Sequence, residues 1–112
     1  MPTNQHKYGL SAPILNGLIQ EITKNSKVSK IVLFGSRAKG NYREGSDIDI
    51  ALFGAEINTN DLLQMASDLE NIIFPYQIDL VIFDRITAPK LKEHIERVGV
   101  ELHPLTHQNI LE

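Results

Sequence analysis

The sequence predicts an α/β (α+β) fold, a small mixed β-sheet with helices packed on it. Three segments carry apolar residues at helical spacing, and three short apolar runs rich in β-branched residues lie between them. A length of 112 residues suits one domain. Contents of 42% hydrophobic and 22% charged residues exclude a disordered chain and a collagen-like fibre.

Composition also limits the chemistry and the location of the protein. The absence of cysteine excludes a disulfide scaffold and any thiolate metal or redox site. No apolar run approaches the roughly 20 residues that span a bilayer, and Met1–Lys7 is too polar for a signal peptide. We therefore expect a cytoplasmic protein without a membrane partner. The net charge of −3 and three lysines within residues 24–30 are too little to predict a nucleic-acid partner.

The first part of the chain predicts a tail, a helix and a buried strand. Residues 1–10 are interpreted as a flexible N-terminal tail. Ser11 can cap a helix that ends at Asn25-Ser26, because a serine hydroxyl accepts a hydrogen bond from the first helical turn. Ile31–Phe34 is a continuous apolar run, typical of a strand buried on both faces. It stops at the polar loop Gly35–Gly45, which can include a helical turn.

The middle of the chain predicts a second strand, a second helix and a third strand. Asp47–Phe53 has the alternation and the β-branched residues of a strand. Asn60 can cap the next helix, whose apolar stripe runs to Ile73, and Pro75 blocks its continuation. Gln77–Phe83 is the third strand.

The last part predicts a helix and an edge strand. Thr87 is expected to cap the helix, and Gly99 is a natural C-terminal stop. Val100–Leu102 is a short edge strand. The chain is thus expected to form one domain over residues 11–104, with a C-terminal tail at 105–112. The four histidines have no metal-like spacing and are interpreted as surface or edge residues: His6, His94, His103 and His107.

Three acids interrupt the apolar strands. Side chains alternate along a strand, so Asp47 and Asp49 point to one face while Ile48 and Ile50 point into the core. Asp79 lies in the third strand, where an acid is unfavourable unless it is paired or binds a metal. If the strands are neighbours, the three carboxylates can converge. Hard oxygen ligands without cysteine favour Mg²⁺ or Mn²⁺ over Zn²⁺.

The loop before these acids has the residues of a phosphate site. Gly35 permits close approach of the backbone to a ligand, and Ser36 adds a hydroxyl and an N–H group. If a helical turn begins here, its free N–H groups face a phosphate, and Arg37 can bind one bidentately.

Ten residues separate Ser36 from Asp47, so the segment has the form Gly-Ser-x10-Asp-x-Asp. This segment resembles the signature of the DNA polymerase β-type nucleotidyltransferase superfamily. Asp79 fits the strand that carries the third carboxylate in that superfamily. The match is dense over residues 31–53. The short chain resembles the minimal nucleotidyltransferase (MNT) members, many of which are antitoxins encoded with a HEPN-domain toxin. The resemblance implies the polymerase β-type nucleotidyltransferase fold.

The resemblance also implies an activity and roles for the site residues. The expected reaction is transfer of AMP from ATP to a hydroxyl, with a tyrosine of the cognate HEPN toxin as acceptor. Gly35, Ser36 and Arg37 would bind the nucleotide, the first two at its β- and γ-phosphates. Asp47 and Asp49 would bind two Mg²⁺ ions, with Mn²⁺ as an alternative. Asp79 would ligate one of them and orient or deprotonate the acceptor hydroxyl.

Two other functions stay open at this point. The domain could neutralise its partner by binding alone, with the acids as a relic. It could also modify a small molecule such as an aminoglycoside, which we favour less because these residues offer no second domain to shape that pocket.

Overall fold

A four-stranded sheet forms the centre of the computed structural model, which describes residues 6–103. Its strands are β3 (Lys30–Phe34), β4 (Ile48–Phe53), β5 (Ile78–Ile82) and β6 (Val100–Leu102), in the order β5-β4-β3-β6. Strand β4 runs antiparallel to β3 and parallel to β5, and β6 pairs antiparallel with β3 at the other edge. The mixed sheet and the edge strand at 100–102 are therefore confirmed.

Helices cover both faces of this sheet. Helices α1 (Ala12–Thr23) and α3 (Thr59–Leu69) share a core cluster with the side chains of one face. Helix α4 (Pro89–Val98) packs on the opposite face, and the short helix α2 (Gly35–Lys39) directly follows β3. A single 3₁₀ turn follows β5 at Phe83–Arg85. None of the helices within residues 6–103 is long and apolar enough to cross a membrane.

Alternation along β4 decides which side chains enter which core. Ile48, Ile50 and Leu52 are fully buried on the side of α1 and α3. Ala51 belongs to the second cluster, on the side of α4. Asp49, between Ile48 and Ile50, therefore faces the α4 side, as the strand period requires.

The helix starts differ from the predicted ones at two places. Helix α3 is capped by Asn58, not Asn60, because Asn58 and Asp61 form a reciprocal capping box with two hydrogen bonds of 2.9 Å. Helix α4 is capped by Ala88, not Thr87, and begins with a proline, whose backbone geometry suits the first helical position. Ser11 does cap α1, with its Oγ accepting from the Ile14 N–H at 3.4 Å.

Helix α3, which the sequence analysis predicted as the second helix, is also shorter than predicted. It ends at Leu69 and not at Ile73, and the Ile73 N–H then donates to the Leu69 carbonyl at 3.0 Å in a further turn. Ile73 is nevertheless buried. The apolar stripe thus continues past the end of the helix, which explains why the pattern predicted a longer one.

The prediction of a flexible tail over residues 1–10 is wrong for residues 6–10. They belong to a hairpin in which β1 (His6–Lys7) pairs antiparallel with β2 (Leu10–Ser11). Leu10 is fully buried in the core cluster of α1 and α3, so burial of this side chain fixes the hairpin to the domain. Residues 1–5 and the predicted C-terminal tail at 105–112 lie outside the described residues.

Candidate active site

The two acids of the Asp-x-Asp segment lie at the start of β4. Asp47 is exposed and immediately precedes the strand, whereas Asp49 is half-buried within it. Both flanking isoleucines are fully buried, so the predicted division between a carboxylate side and a core side is observed.

The third acid lies directly beside Asp49. Strands β4 and β5 are parallel neighbours, and their register pairs Asp49 with Asp79. Asp79 is exposed and lies on β5, an edge strand of the sheet. The sequence analysis expected Asp47, Asp49 and Asp79 to converge, and the register of the strands brings together Asp49 and Asp79.

The electrostatics of Asp49 reflect this crowding of negative charge. Burial raises the pKa of Asp49, and the charges of Asp79 and Asp47 raise it further. His94 and Arg37 partly offset the rise. A positive charge close to Asp49 would therefore stabilise its ionised form.

Gly35 brings its backbone against the same carboxylate. Its φ of +74° lies in the left-handed region, which side chains rarely adopt. A Cβ at this position would collide with Asp49 Oδ2. Phe34, the residue before it, pairs with Asp49 across β3 and β4. The glycine is thus required for the close approach of the loop to the acids.

Ser36 lies in the first turn of α2 and is half-buried next to this glycine. Its carbonyl accepts hydrogen bonds from the N–H groups of Gly40 at 2.9 Å and Asn41 at 3.2 Å. The helical turn that the sequence allowed within residues 35–45 is therefore present, and it begins at the Gly-Ser pair.

Arg37 does not take the position expected of a phosphate ligand. Only 2% of its surface is exposed. Its Nε and Nη2 donate to the Ser46 carbonyl at 3.1 and 2.7 Å, and Nη1 donates to the Tyr8 carbonyl at 2.9 Å. The guanidinium also lies 4.8 Å from the ring centroid of Tyr76 and 5.4 Å from that of Tyr42. The guanidinium thus donates to backbone carbonyls inside the domain, and the structure does not place it at the surface where the sequence analysis expected a phosphate ligand.

His94 lies near Asp49, a position that the sequence interpretation missed. It is half-buried on α4, and its ring meets that of Phe34 edge-on with centroids 6.1 Å apart. It is close enough to lower the pKa of Asp49. It is thus a partly buried residue that adjoins the acids, which its interpretation as a surface or edge residue did not anticipate. Helical spacing could have shown this position, because His94 lies on the inward face of α4 with Leu91, Ile95 and Val98.

The donor chemistry of the acids fits a hard divalent cation. Carboxylates are the ligands that Mg²⁺ and Mn²⁺ prefer, and a cation would relieve the repulsion at Asp49. Across residues 6–103, no three His, Cys, Asp or Glu side chains meet as a ready-made metal centre. The fit therefore rests on the ligand type and on the electrostatics of Asp49.

Acids on adjoining parallel strands, with a glycine-serine turn against one of them, are the arrangement expected of an enzyme that handles phosphate groups. The particular family follows from the whole chain. The protein belongs to the family described as "Polymerase beta, Nucleotidyltransferase", whose model matches residues 16–105. It is therefore a nucleotidyltransferase, and its predicted fold is confirmed.

Individual proteins similar to this chain agree with that family. "Putative protein adenylyltransferase MJ0141" of Methanocaldococcus jannaschii is 28% identical over 80 residues, which cover 68% of this chain and 80% of that protein. A chain of a crystal structure of a toxin-antitoxin with AMP-PNP has a TM-score of 0.69 and 26% identity, over 87% of this chain and 78% of that one. A chain of a complex between a tri-AMPylated Shewanella oneidensis HEPN toxin and an MNT antitoxin has a TM-score of 0.63 and 24% identity, over 88% and 76%.

Proposed function

We propose that this protein transfers AMP from ATP to a tyrosine hydroxyl of a HEPN-domain toxin and thereby acts as its antitoxin. The observation that carries the proposal is the pairing of Asp49 with Asp79 beside the backbone of Gly35. This pairing puts ligands for cations next to a turn suited to phosphate. In this proposal the protein works in the cytoplasm.

The residues divide into a nucleotide side and an acceptor side. Gly35 and Ser36 hold the β- and γ-phosphates, because a glycine backbone and a hydroxyl can approach phosphate oxygens closely. Asp47 and Asp49 hold two Mg²⁺ ions, for which Mn²⁺ can substitute. Asp79 contributes to one of these ions and faces the acceptor. When bound, the ions neutralise the charge of the triphosphate and of the departing pyrophosphate.

The transfer is a single displacement at phosphorus. The acceptor oxygen forms a bond to the α-phosphorus, and the bond from that phosphorus to the α,β-bridging oxygen breaks. Pyrophosphate leaves with the electron pair of the broken bond. Asp79 orients the hydroxyl and accepts its proton. Positioning and electrostatic stabilisation supply most of the rate enhancement in transfers of this kind.

The choice of acceptor is supported by the similar proteins. The M. jannaschii relative is named as a protein adenylyltransferase, which supports transfer of AMP to a protein. The toxin-antitoxin structure contains AMP-PNP, an ATP analogue, which supports ATP as the donor. The Shewanella complex joins an MNT antitoxin of the same fold to an AMPylated HEPN toxin. Asp79 lies exposed on an edge strand, where a hydroxyl on another protein can reach it.

A label-transfer assay tests the proposal. The purified protein is incubated with ATP labelled at the α-phosphate, Mg²⁺ and a HEPN-domain protein from the same genome. We expect label on the HEPN protein, and we expect it to disappear when the acceptor tyrosine is replaced by phenylalanine. Asp49→Asn serves as the inactive control. Absence of label at every concentration of metal and partner would contradict the proposed activity.

Neutralisation by binding alone is separated by a second experiment. The double variant Asp47→Asn, Asp49→Asn removes two carboxylates and keeps the shape of the protein nearly unchanged. We expect it to bind the toxin and to fail to protect cells. Protection at the wild-type level would show that chemistry is dispensable and would favour the binding function.

A further inference from the structure

Arg37 joins two parts of the chain that meet beside the active site. We infer that it is a positioning residue: it holds the backbone at Ser46, and therefore Asp47, against an anchor supplied by the N-terminal hairpin. The hairpin lies before residue 16, where the match to the family begins, so a segment outside that match would form part of the catalytic scaffold. Only the kinetic tests of this inference depend on the proposed AMP transfer.

On the side of the acids, Arg37 makes a bidentate contact with one backbone carbonyl. Two guanidinium nitrogens of Arg37 donate to the Ser46 oxygen. That carbonyl belongs to the peptide plane that it shares with the nitrogen of Asp47, so fixing the oxygen restricts the orientation of the plane. Ser46 is also closed into a turn with Arg43, through its N–H to the Arg43 carbonyl at 3.0 Å and its Oγ from the Arg43 N–H at 2.8 Å. Arg37 thus holds a compact turn at the entrance to β4.

The contact to the hairpin is equally specific. Arg37 Nη1 donates to the Tyr8 carbonyl, and Tyr8 itself has a left-handed backbone with a φ of +59°. The next residue, Gly9, has a φ of +75°. A Cβ on Gly9 would lie 2.5 Å from Tyr42 Cε1 and 2.7 Å from Arg37 Nη1. The hairpin backbone therefore packs directly on the guanidinium, and Leu10 secures it in the core.

A phosphate-binding and a positioning role for Arg37 predict different kinetics. Loss of a phosphate ligand weakens nucleotide binding and raises the KM for ATP. Loss of a residue that positions Asp47 lowers kcat and raises the Mg²⁺ concentration needed for activity, with little change in the KM for ATP. The burial of Arg37 and its bonds to two backbone carbonyls favour the second outcome.

Gly9→Ala tests the anchor with a matched control. The added methyl group strains a left-handed residue and collides with Arg37 and Tyr42. Gly40→Ala strains a residue with a φ of +89° in the same way but meets nothing within 4 Å. We expect Gly9→Ala to lower kcat about 10- to 100-fold with an unchanged KM for ATP. Gly40→Ala should lose no more activity than its loss of folded protein explains. Equal kcat values in the two variants would overturn the inference.

Arg37→Met and Arg37→Lys test the bidentate contact itself. Methionine keeps much of the length without donors, whereas lysine can restore one donor, so we expect lysine to recover part of the kcat that methionine loses. Thermal unfolding of each variant separates a folding defect from a kinetic one.

A readout without catalysis keeps the inference separate from the proposed function. We expect the backbone amide resonances of Ser46 and Asp47 to shift in Gly9→Ala and Arg37→Met but not in Gly40→Ala. If they stay unchanged in the first two variants, Arg37 does not position Asp47. If they shift while the wild-type protein transfers no AMP, the positioning role stands and the proposed function fails.

Discussion

At the scale of single residues, Gly35 sets how closely the turn of Gly35 and Ser36 approaches Asp49. We predict that Gly35→Ala lowers AMP transfer about 100-fold, because the methyl group must displace the Asp49 carboxylate. The left-handed backbone should also reduce the free energy of unfolding by about 1–2 kcal/mol. Steady-state kinetics and chemical denaturation measure the two effects.

The control for this prediction is again Gly40→Ala, whose φ is also left-handed but whose Cβ would enter open space. It should show a similar loss of stability without the loss of kcat. If both variants transferred AMP at the same rate, the contact between Gly35 and Asp49 would have no catalytic importance.

The raised pKa of Asp49 leads to a dependence of stability on pH. In the unfolded chain this carboxyl ionises near its ordinary value of 3.8, whereas in the fold it ionises at higher pH. As pH rises through this window, the unfolded state releases its proton first. The contribution of Asp49 to stability is therefore present below the lower value and lost above the upper one.

We accordingly predict that Asp49→Asn stabilises the metal-free protein at neutral pH. The gain should be roughly 0.2–1 kcal/mol, the size of a like-charge contact between strands, and should vanish toward the acid side of the window. Urea denaturation in EDTA at several pH values measures this gain.

In Asp79→Asn, we predict that an NMR titration finds the pKa of Asp49 lowered, since a neighbouring negative charge is gone. An unchanged pKa would mean that the two carboxylates do not interact.

The site residues differ in how well the sequence could predict them. Asp49 and Gly35 follow from local rules, namely strand alternation and the need for a glycine where the backbone comes close. Arg37 does not, because the direction of its side chain depends on the Tyr8 carbonyl, which is far away in the sequence. Spacing alone could not tell a buried guanidinium from one that faces phosphate.

At the scale of elements, the capping box of α3 is a local contribution to stability. We predict that Asn58→Ala lowers the free energy of unfolding by about 1 kcal/mol, because the side-chain oxygen that accepts from the Asp61 N–H at the helix start is lost. The kcat for AMP transfer should stay unchanged, since α3 follows the far end of β4 from the acids. Asn60→Ala is the matched control and should have little effect. Equal losses of stability in the two variants would mean that Asn58 does not cap α3.

The helix starts were predictable only in part. Asn58 and Asn60 are both good caps, and only Asn58 has an acid three residues later to complete the box. That signal was present in the sequence. The end of α3 was harder to predict, because Ile73 is buried by the turn after the helix and so extends the apolar pattern past Leu69.

At the scale of the whole molecule, the N-terminal hairpin determines where the folded domain begins. We predict that Leu10→Ala lowers the free energy of unfolding by about 2–5 kcal/mol, since it removes a fully buried side chain from the main core. Leu63→Ala, at a position with 65% exposure, should change stability by less than about 0.5 kcal/mol. Similar small losses in both variants would mean that the hairpin does not belong to the folded domain.

The sheet and its order of elements were accessible from periodicity, whereas the hairpin was not. Its strands are two residues long, too short for any alternation to be recognised. Leu10 is buried and Tyr8 packs against the same core cluster, and this cluster depends in part on α3 and the sheet, which lie far along the chain.

The position of Asp79 on an outer strand has a consequence for how such an enzyme selects its target. An acid on the rim of a sheet meets the acceptor before any wall of this domain encloses it. In the proposed reaction, discrimination between acceptors would then depend on the shape of the protein that docks at this edge of the sheet. A domain of this design could change clients through its outer surface while its catalytic rim stays the same.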